Sequence, residues 1–433
     1  MRRISESLAW PARRALLLAV VLIGACTTTG GQATSQLAPP AGCVVRETSR
    51  APLQIDGNRE MYVEPTVELP SGGSILLAGR PNYLFSPGAS TDQRTMSRDS
   101  VFGVVLDSGG RAKVVPAPID PALVASARAI ALSGGRWALL FAELKHASEP
   151  PRPDTIVRLW YGEFDGTTWS SLEQLPQIPG GTFNLEMGSE LLPRADTLFA
   201  AVPVRIDSGS YHDIAVFERH MGRWKADIVH TVTGVYAELL YSDSLGLLLA
   251  VVQPDRSLRR DTNSLLLYGR RPRWEIIRRL LLGGSQPVYD PRFMTSPAGT
   301  VLSWFVHDRE GQPPTDRARA MIGLTVTGDG RTVELDPHIN HVTPVPGFTR
   351  FPLWITEHNT TTGEREIRFL ADSAGHSQTL AAFPSPFTGP FAATSIGASD
   401  ILVSGPLFHA DSAHPRLVSL LIRARVECRT SAP

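Results

Sequence analysis

The chain has 433 residues, with 42 Lys and Arg balanced by 42 Asp and Glu, so its formal net charge is zero. That balance excludes the broad basic footprint of a nucleic-acid binder. The 37 Gly and 35 Pro are scattered as punctuation rather than gathered in one tract, which points to an all-β chain of many short strands and turns.

The N-terminal region is read first, because it is set apart from the fold. Arg2, Arg3, Arg13 and Arg14 precede the apolar run "ALLLAVVLIGA", which ends at Cys26. A positive flank, a short apolar segment and small residues before a cut site describe an export signal over residues 1–25. The run is too short to span a bilayer comfortably. Ile23-Gly24-Ala25-Cys26 resembles a bacterial lipobox. That resemblance implies lipidation of Cys26, a membrane partner through the lipid, and, with Thr27 rather than Asp at the next position, sorting to the outer membrane. The alternative is an ordinary signal with an incidental cysteine. Residues 26–42, "CTTTGGQATSQLAPPAG", are polar and rich in Thr, Gly and Pro, and read as a flexible tether.

Residues 43–433 are expected to form a single domain. Two further cysteines, Cys43 and Cys428, bracket it. In an oxidising compartment they are expected to form a disulfide joining the two ends, against the alternative of two unrelated thiols.

Along the domain no segment keeps a helical period. Seven hairpins recur as an apolar run, a turn and a very apolar run, with turns near Gly72, Gly134, Ala195, Ser244, Ala298, Gly347 and Ala398. Between them lie six more amphipathic hairpins, among them "TIVRLWYGEFDGTTWSSLEQL", "DIAVFERHMGRWKADIVH" and "SLLLYGRRPRWEIIRRLL". The seventh repeat has only "RLVSLLIRARVEC" before the chain ends. A β-propeller of seven four-stranded blades accounts for this rhythm. The first hairpin type supplies inner strands and the second supplies outer ones. The missing last strand is then "CVVRETSR", so that an N-terminal strand closes the ring and hides the edges. Six or eight blades, or two β-sandwiches, are the alternatives.

Trp169, Trp224 and Trp274 each follow the turn of an outer hairpin, where a large ring packs between neighbouring blades. "FDGTTWSSLEQLP" resembles the Asp-box hairpin of sialidase-like (BNR-repeat) propellers, with Asp165 and Gly166 adjacent where that family separates them by one residue. "YVEPTVELPSGGSILLAGRP" is similar to the family's Phe-Arg-Ile-Pro stretch. In that register Val63 stands where the family has its carboxylate-binding arginine, while Gly79-Arg80 matches. A valine cannot supply the bidentate guanidinium contacts that a sialidase needs. The resemblance therefore implies a sialidase-like fold without the sialidase arginine set.

In such a ring the leading ends of first strands and the trailing ends of second strands share one mouth. Trailing ends carry Arg80, His307, His358 and His409; leading ends carry Glu64, Glu186, Glu190, Glu238, Asp290 and Arg292. These form the candidate ligand-binding mouth. The three histidines are evenly spaced, 358 − 307 = 51 and 409 − 358 = 51. Neighbouring blades hold such positions far apart for bonds near 2 Å, so no metal is assigned. No cofactor motif, phosphate loop or nucleophile elbow is present. The expected function is a lipid-anchored envelope protein, without a catalytic set, that binds a glycan, peptide or protein partner. The alternative is a sialidase-like glycoside hydrolase or another carbohydrate-active enzyme.

Overall fold

The computed structural model describes residues 43–55, 59–60, 67–68, 75–78, 83–84, 95–96, 103–106, 112–115, 118–119, 124–132, 136–144, 156–183, 190–206, 212–231, 235–255, 262–282, 288–296, 299–307, 318–325, 339–345, 348, 350–351, 353–359, 365–370, 377–383, 391–396, 398–409 and 416–428. Every regular element among them is a β-strand. No helix of the described residues is long and apolar enough to cross a membrane.

The strands fall into seven main sheets taken up in chain order, plus a two-stranded ribbon of Tyr83–Leu84 and Thr95–Met96. The second sheet is representative. Val124–Ala131, Trp137–Leu144, Ile156–Phe164 and Glu173–Gln174 pair in sequence order, each antiparallel to the next. The fourth sheet (Val235–Ser242, Gly246–Asp255, Thr262–Arg271, Arg273–Leu282) and the sixth (Ile339–Pro344, Trp354–Asn359, Arg365–Leu370, Ser377–Phe383) repeat the plan. In the third, Gly181–Phe183 and Glu190–Arg194 share the inner side of Thr197–Ile206. Three strands of the fifth are described, Val288–Ser296, Gly299–His307 and Ala318–Thr325.

Sequence order breaks at the ends of the chain. The seventh sheet runs Ala392–Ser395, Asp400–His409, Arg416–Cys428, and its outer strand is Cys43–Pro52 from the start of the domain. Cys43 lies directly opposite Cys428 in that register, and the two are disulfide-bonded. The chain continues into the first sheet, where Gln54–Ile55 pairs in parallel with Ala112–Val115.

The apolar runs chosen as second strands are the core. Ala138 to Ala142, Ala200 to Val202, Leu248 to Val251 and Ile401 to Val403 are at or near zero exposure, because a strand covered on both faces cannot carry a polar alternation. Side chains on their two faces belong to different apolar clusters, three of which run between adjacent sheets among the described residues. Val202, Val204 and Phe217 of the third sheet join Leu140, Leu159 and Tyr161 of the second; Ala201 and Val216 join Leu249 and Leu266 of the fourth. Gly405 marks a close approach: a β-carbon there would stand 2.3 Å from Phe391 Cδ1, so the second strand of the seventh sheet needs glycine to pass beneath that ring.

The inner strands follow one another in space. Val67–Glu68 of the first sheet lies against Val124–Ala131, which lies against Glu190–Arg194. Contacts pass on to Val235–Ser242 and Val288–Ser296, and from Gly299–His307 to Ile339–Pro344 and Ala392–Ser395, which lies in turn against Val67–Glu68.

Candidate functional site

Ten residues were expected at one end of the sheets. Glu64, Arg80 and Glu186 lie outside the described residues, as do Val63 and Cys26. Asp290, Arg292, His307 and His409 are placed as strand positions. Arg292 stands opposite Ser303, next to an irregularity that begins at Tyr289, and His409 stands opposite Arg416. Glu190 opens its strand opposite Ala201 and is half-buried.

Two of the ten are buried polar groups. Glu238 is 6% exposed in the first strand of the fourth sheet, opposite Ala250. Its Oε1 accepts a hydrogen bond from the backbone N–H of Phe293, 3.1 Å away in the first strand of the fifth sheet. The carboxylate thus ties two neighbouring inner strands together, one residue from Arg292. His358 is buried at the end of the second strand of the sixth sheet, between Glu366 and Ile339 on the flanking strands. Its Nε2 lies 3.0 Å from Thr356 Oγ1, two residues back on the same face. Glu357, between them, faces the opposite side and is also buried. Among the described residues no three His, Cys, Asp or Glu gather closely enough to hold a metal ion.

A denser polar cluster joins the second and third sheets around Trp224, on charged residues that the sequence did not single out. Arg219 donates through Nε and Nη2 to both oxygens of Glu173, at 2.9 and 2.6 Å. Trp224 Nε1 donates to Glu173 Oε2 at 2.9 Å. Its paired hydrogen bonds to Arg219 hold the Glu173 carboxyl below the usual carboxylate range, and Glu173 in turn raises Arg219. The Arg219 guanidinium sits 4.9 Å from the centre of the Tyr161 ring, and the Trp224 ring meets Tyr161 edge-on at 5.4 Å. Tyr161 donates its hydroxyl to Glu163 Oε1 at 2.7 Å, and Arg136 donates to Glu163 Oε2. The next sheet repeats the clamp. Arg270, at 270 − 219 = 51 residues further on, reaches Glu218 at 2.6 Å and Asp227 at 2.9 Å in the third sheet. Arg219 faces Trp224 across the outer hairpin and Arg270 faces Trp274. The signal in the sequence was an arginine five residues before Trp224 and four before Trp274.

These rings and clamps settle the tryptophans. Trp224 and Trp274 pack between sheets, as expected. Trp169 bridges Phe164 and packs against its ring at 5.1 Å, in an apolar cluster with Trp137, Leu139 and Phe141. The loop from Asp165 to Thr168 turns the chain straight back and lays Trp169 over Gly162. Asp165 builds that loop. One carboxylate oxygen accepts from the backbone N–H groups of Thr167 and Thr168 at 2.8 and 2.7 Å, and both threonine hydroxyls bond to the same side chain. The bond from Thr168 N–H, followed by those of Thr167, holds the carboxyl far below its ordinary pKa. Gly166 takes the left-handed turn position at φ 94°.

A tyrosine beside a carboxylate invites comparison with a nucleophile and its base. Tyr161 does not fit the role. Its ring is 2% exposed, and burial, followed by the bond to Glu163, raises its hydroxyl well above the usual phenol value, so it stays protonated.

No family model matches the sequence, and no curated protein matches it. Solved structures do. A crystal structure of a protein of unknown function from Dyadobacter fermentans aligns over 88% of this chain and 99% of its own, at 12% identity and TM-score 0.49. An α-L-arabinofuranosidase from Fusarium graminearum, in complex with an iminosugar inhibitor, aligns over 70% of this chain and 94% of its own, at 11% identity and TM-score 0.45. The Aleuria aurantia lectin, in complex with Fucα1-6GlcNAc, aligns over 69% of this chain and 95% of its own, at 10% identity and TM-score 0.38. These three TM-scores lie below 0.5, and the likeness carries no argument for function.

Proposed function

We propose that the chain is an envelope-tethered binding module. Its seven sheets are the blades of a β-propeller closed by Cys43–Pro52, carried on a lipid at Cys26 through the tether of residues 26–42. It presents one mouth of the ring to a glycan, peptide or protein partner. The observation that carries this reading is the succession of inner strands, with Ala392–Ser395 of the last sheet against Val67–Glu68 of the first. Such a scaffold fixes loops and strand ends at one opening and needs no catalytic set to bind there.

The described polar groups near that end support binding rather than turnover. Glu238 holds the Phe293 backbone, and His358 is bonded to Thr356. Glu143, at the end of the second strand of the second sheet, accepts from Trp160 Nε1 at 2.7 Å. Glu238 and Glu143 thus hold neighbouring strands together, and the His358 bond stays within one strand. One observation favours the hydrolase alternative: Glu238 is a buried carboxylate at the end of the sheets where the mouth is expected, the kind of group that serves as an acid or base.

The purified protein should be assayed on a glycan array and against fluorogenic glycosides, a sialoside included. Binding without turnover is expected. Turnover abolished by Glu238→Ala or Arg292→Ala would sink the binding-only reading.

A further inference from the structure

Among the described residues, the exposed large apolar side chains are Met221, Ile276 and Ile277, at 81%, 47% and 39% exposure. All three sit on two adjacent outer hairpins, those of the third and fourth sheets. The two hairpins are fastened side by side by Arg270, which bonds back to Glu218 and Asp227. Met221 is at the tip of the first hairpin, in a left-handed turn at φ 48°. Arg223 and Lys225 follow it, both exposed. The tip of the second hairpin is Arg271-Pro272-Arg273, also exposed, and Arg279 lies exposed further along its outer strand.

The two outer strands differ in a telling way. Arg223–Val229 alternates cleanly, with Trp224, Ala226 and Ile228 turned inward and charged residues outward. Arg273–Leu282 does not. Its register shifts between Leu267 and Tyr268 of the partner strand, so that Arg278 faces Leu267 and Ile276 faces Tyr268 while Ile277 is left between them. Ile276, opposite Tyr268, and Ile277, over Gly269, are thus exposed on the two faces of this edge strand, with Arg271, Arg273 and Glu275 before them and Arg279 after. Arginines alone would suffice to guard an edge strand against pairing. Adjacent exposed isoleucines work against that purpose, and an exposed apolar patch rimmed by cations marks an interaction surface. In a chain whose net charge is zero, the charge here is local.

We propose that this outer face, Met221 with Arg223 and Lys225 together with Arg271 to Ile277, rests on an anionic membrane surface. Guanidinium and ammonium groups pair with lipid phosphates, while Met221, Ile276 and Ile277 enter the interfacial layer beneath the headgroups. Apolar side chains embedded between cations suit a layered partner of phosphate over hydrocarbon, and a soluble polyanion offers nothing to the isoleucines. The ring would then lie with the third and fourth sheets toward the bilayer and its mouth turned sideways along the surface. Attachment through Cys26 is a separate element: a chain held by that lipid alone leaves these hairpins unprotected, so the two readings fail independently.

The test is hydrogen exchange, followed by mass spectrometry, of the full protein on vesicles of phosphatidylcholine alone or mixed with phosphatidylglycerol. On the anionic vesicles the peptide covering Arg271 to Leu282 should exchange at least about tenfold more slowly. The protection should vanish in about 1 M salt, where the Debye length falls to about 3 Å. Arg271→Glu/Arg273→Glu should abolish it, and Ile276→Ser/Ile277→Ser should weaken it. Both pairs are exposed, and unchanged exchange in the core strand Gly246–Asp255 would verify folding. Equal exchange on the two vesicle types overturns the proposal. So does equal protection by dextran sulfate without vesicles, which would assign the face to a soluble polyanion, or protection that rises with protein concentration in detergent, which would assign it to a second copy.

Discussion

Asp165 shows how one side chain fixes a local structure and why its identity misleads. Read as part of "FDGTTW" it looks like a functional signature. In the structure its carboxylate is consumed by the backbone and hydroxyls of Thr167 and Thr168, which leaves it no part in a site. Its depressed pKa makes that role testable. The unfolded carboxyl titrates near 3.9 and the folded one lower, so between those values the unfolded state binds more protons. The stability contributed by the charge is complete above the unfolded value and is lost as pH falls below it. Asp165→Asn should therefore unfold at a lower temperature than the parent at pH 6, with the gap narrowing as pH drops from about 4 to about 2. A gap constant over that range would mean the charge plays no part. Tyr161 teaches the complementary lesson: proximity to Glu163 suggested chemistry, while burial keeps the hydroxyl protonated and structural.

Between elements, the sheets are joined by apolar faces and by arginine clamps, and only the first were legible in the sequence. Hairpin positions followed from period-two patterns and turn residues, which are local properties of the chain. The turn near Ala195, for example, falls between Glu190–Arg194 and Thr197–Ile206, with Ala195 itself at φ 48°. The Arg219–Glu173 pair links residues 46 apart on different sheets, and nothing in either segment names its partner. Glu173→Ala removes both Arg219 bonds and the acceptor of Trp224, leaving the guanidinium only the longer contact to Glu163 at 3.7 Å. Urea denaturation should show a loss of about 2 kcal/mol. In a double-mutant cycle with Arg219→Ala the second change should cost less than it does alone. Additive losses would show that the two side chains act independently.

At the scale of the whole molecule, the ends of the chain meet. Cys43 and Cys428 are 385 residues apart in sequence and bonded across paired strands, so the bond constrains almost the entire unfolded chain. Replacing both by alanine should lower stability by about 3 kcal/mol in denaturant titration. Exchange in Cys43–Pro52 should quicken first, since that strand is the outer one of its sheet. Unchanged stability would mean that strand pairing alone holds the ends together. The sequence by itself determined that the chain is all-β, where its hairpins turn, which strand lacked a partner and which two cysteines would meet, because each follows from short-range pattern or from counting. The tertiary structure alone decided that Glu238 reaches the backbone of Phe293, that Trp169 covers Gly162, and that Met221, Ile276 and Ile277 are exposed on two adjoining outer hairpins. Those depend on how sheets far apart in sequence are angled and stacked, and on a single bulge that reverses which way a side chain points.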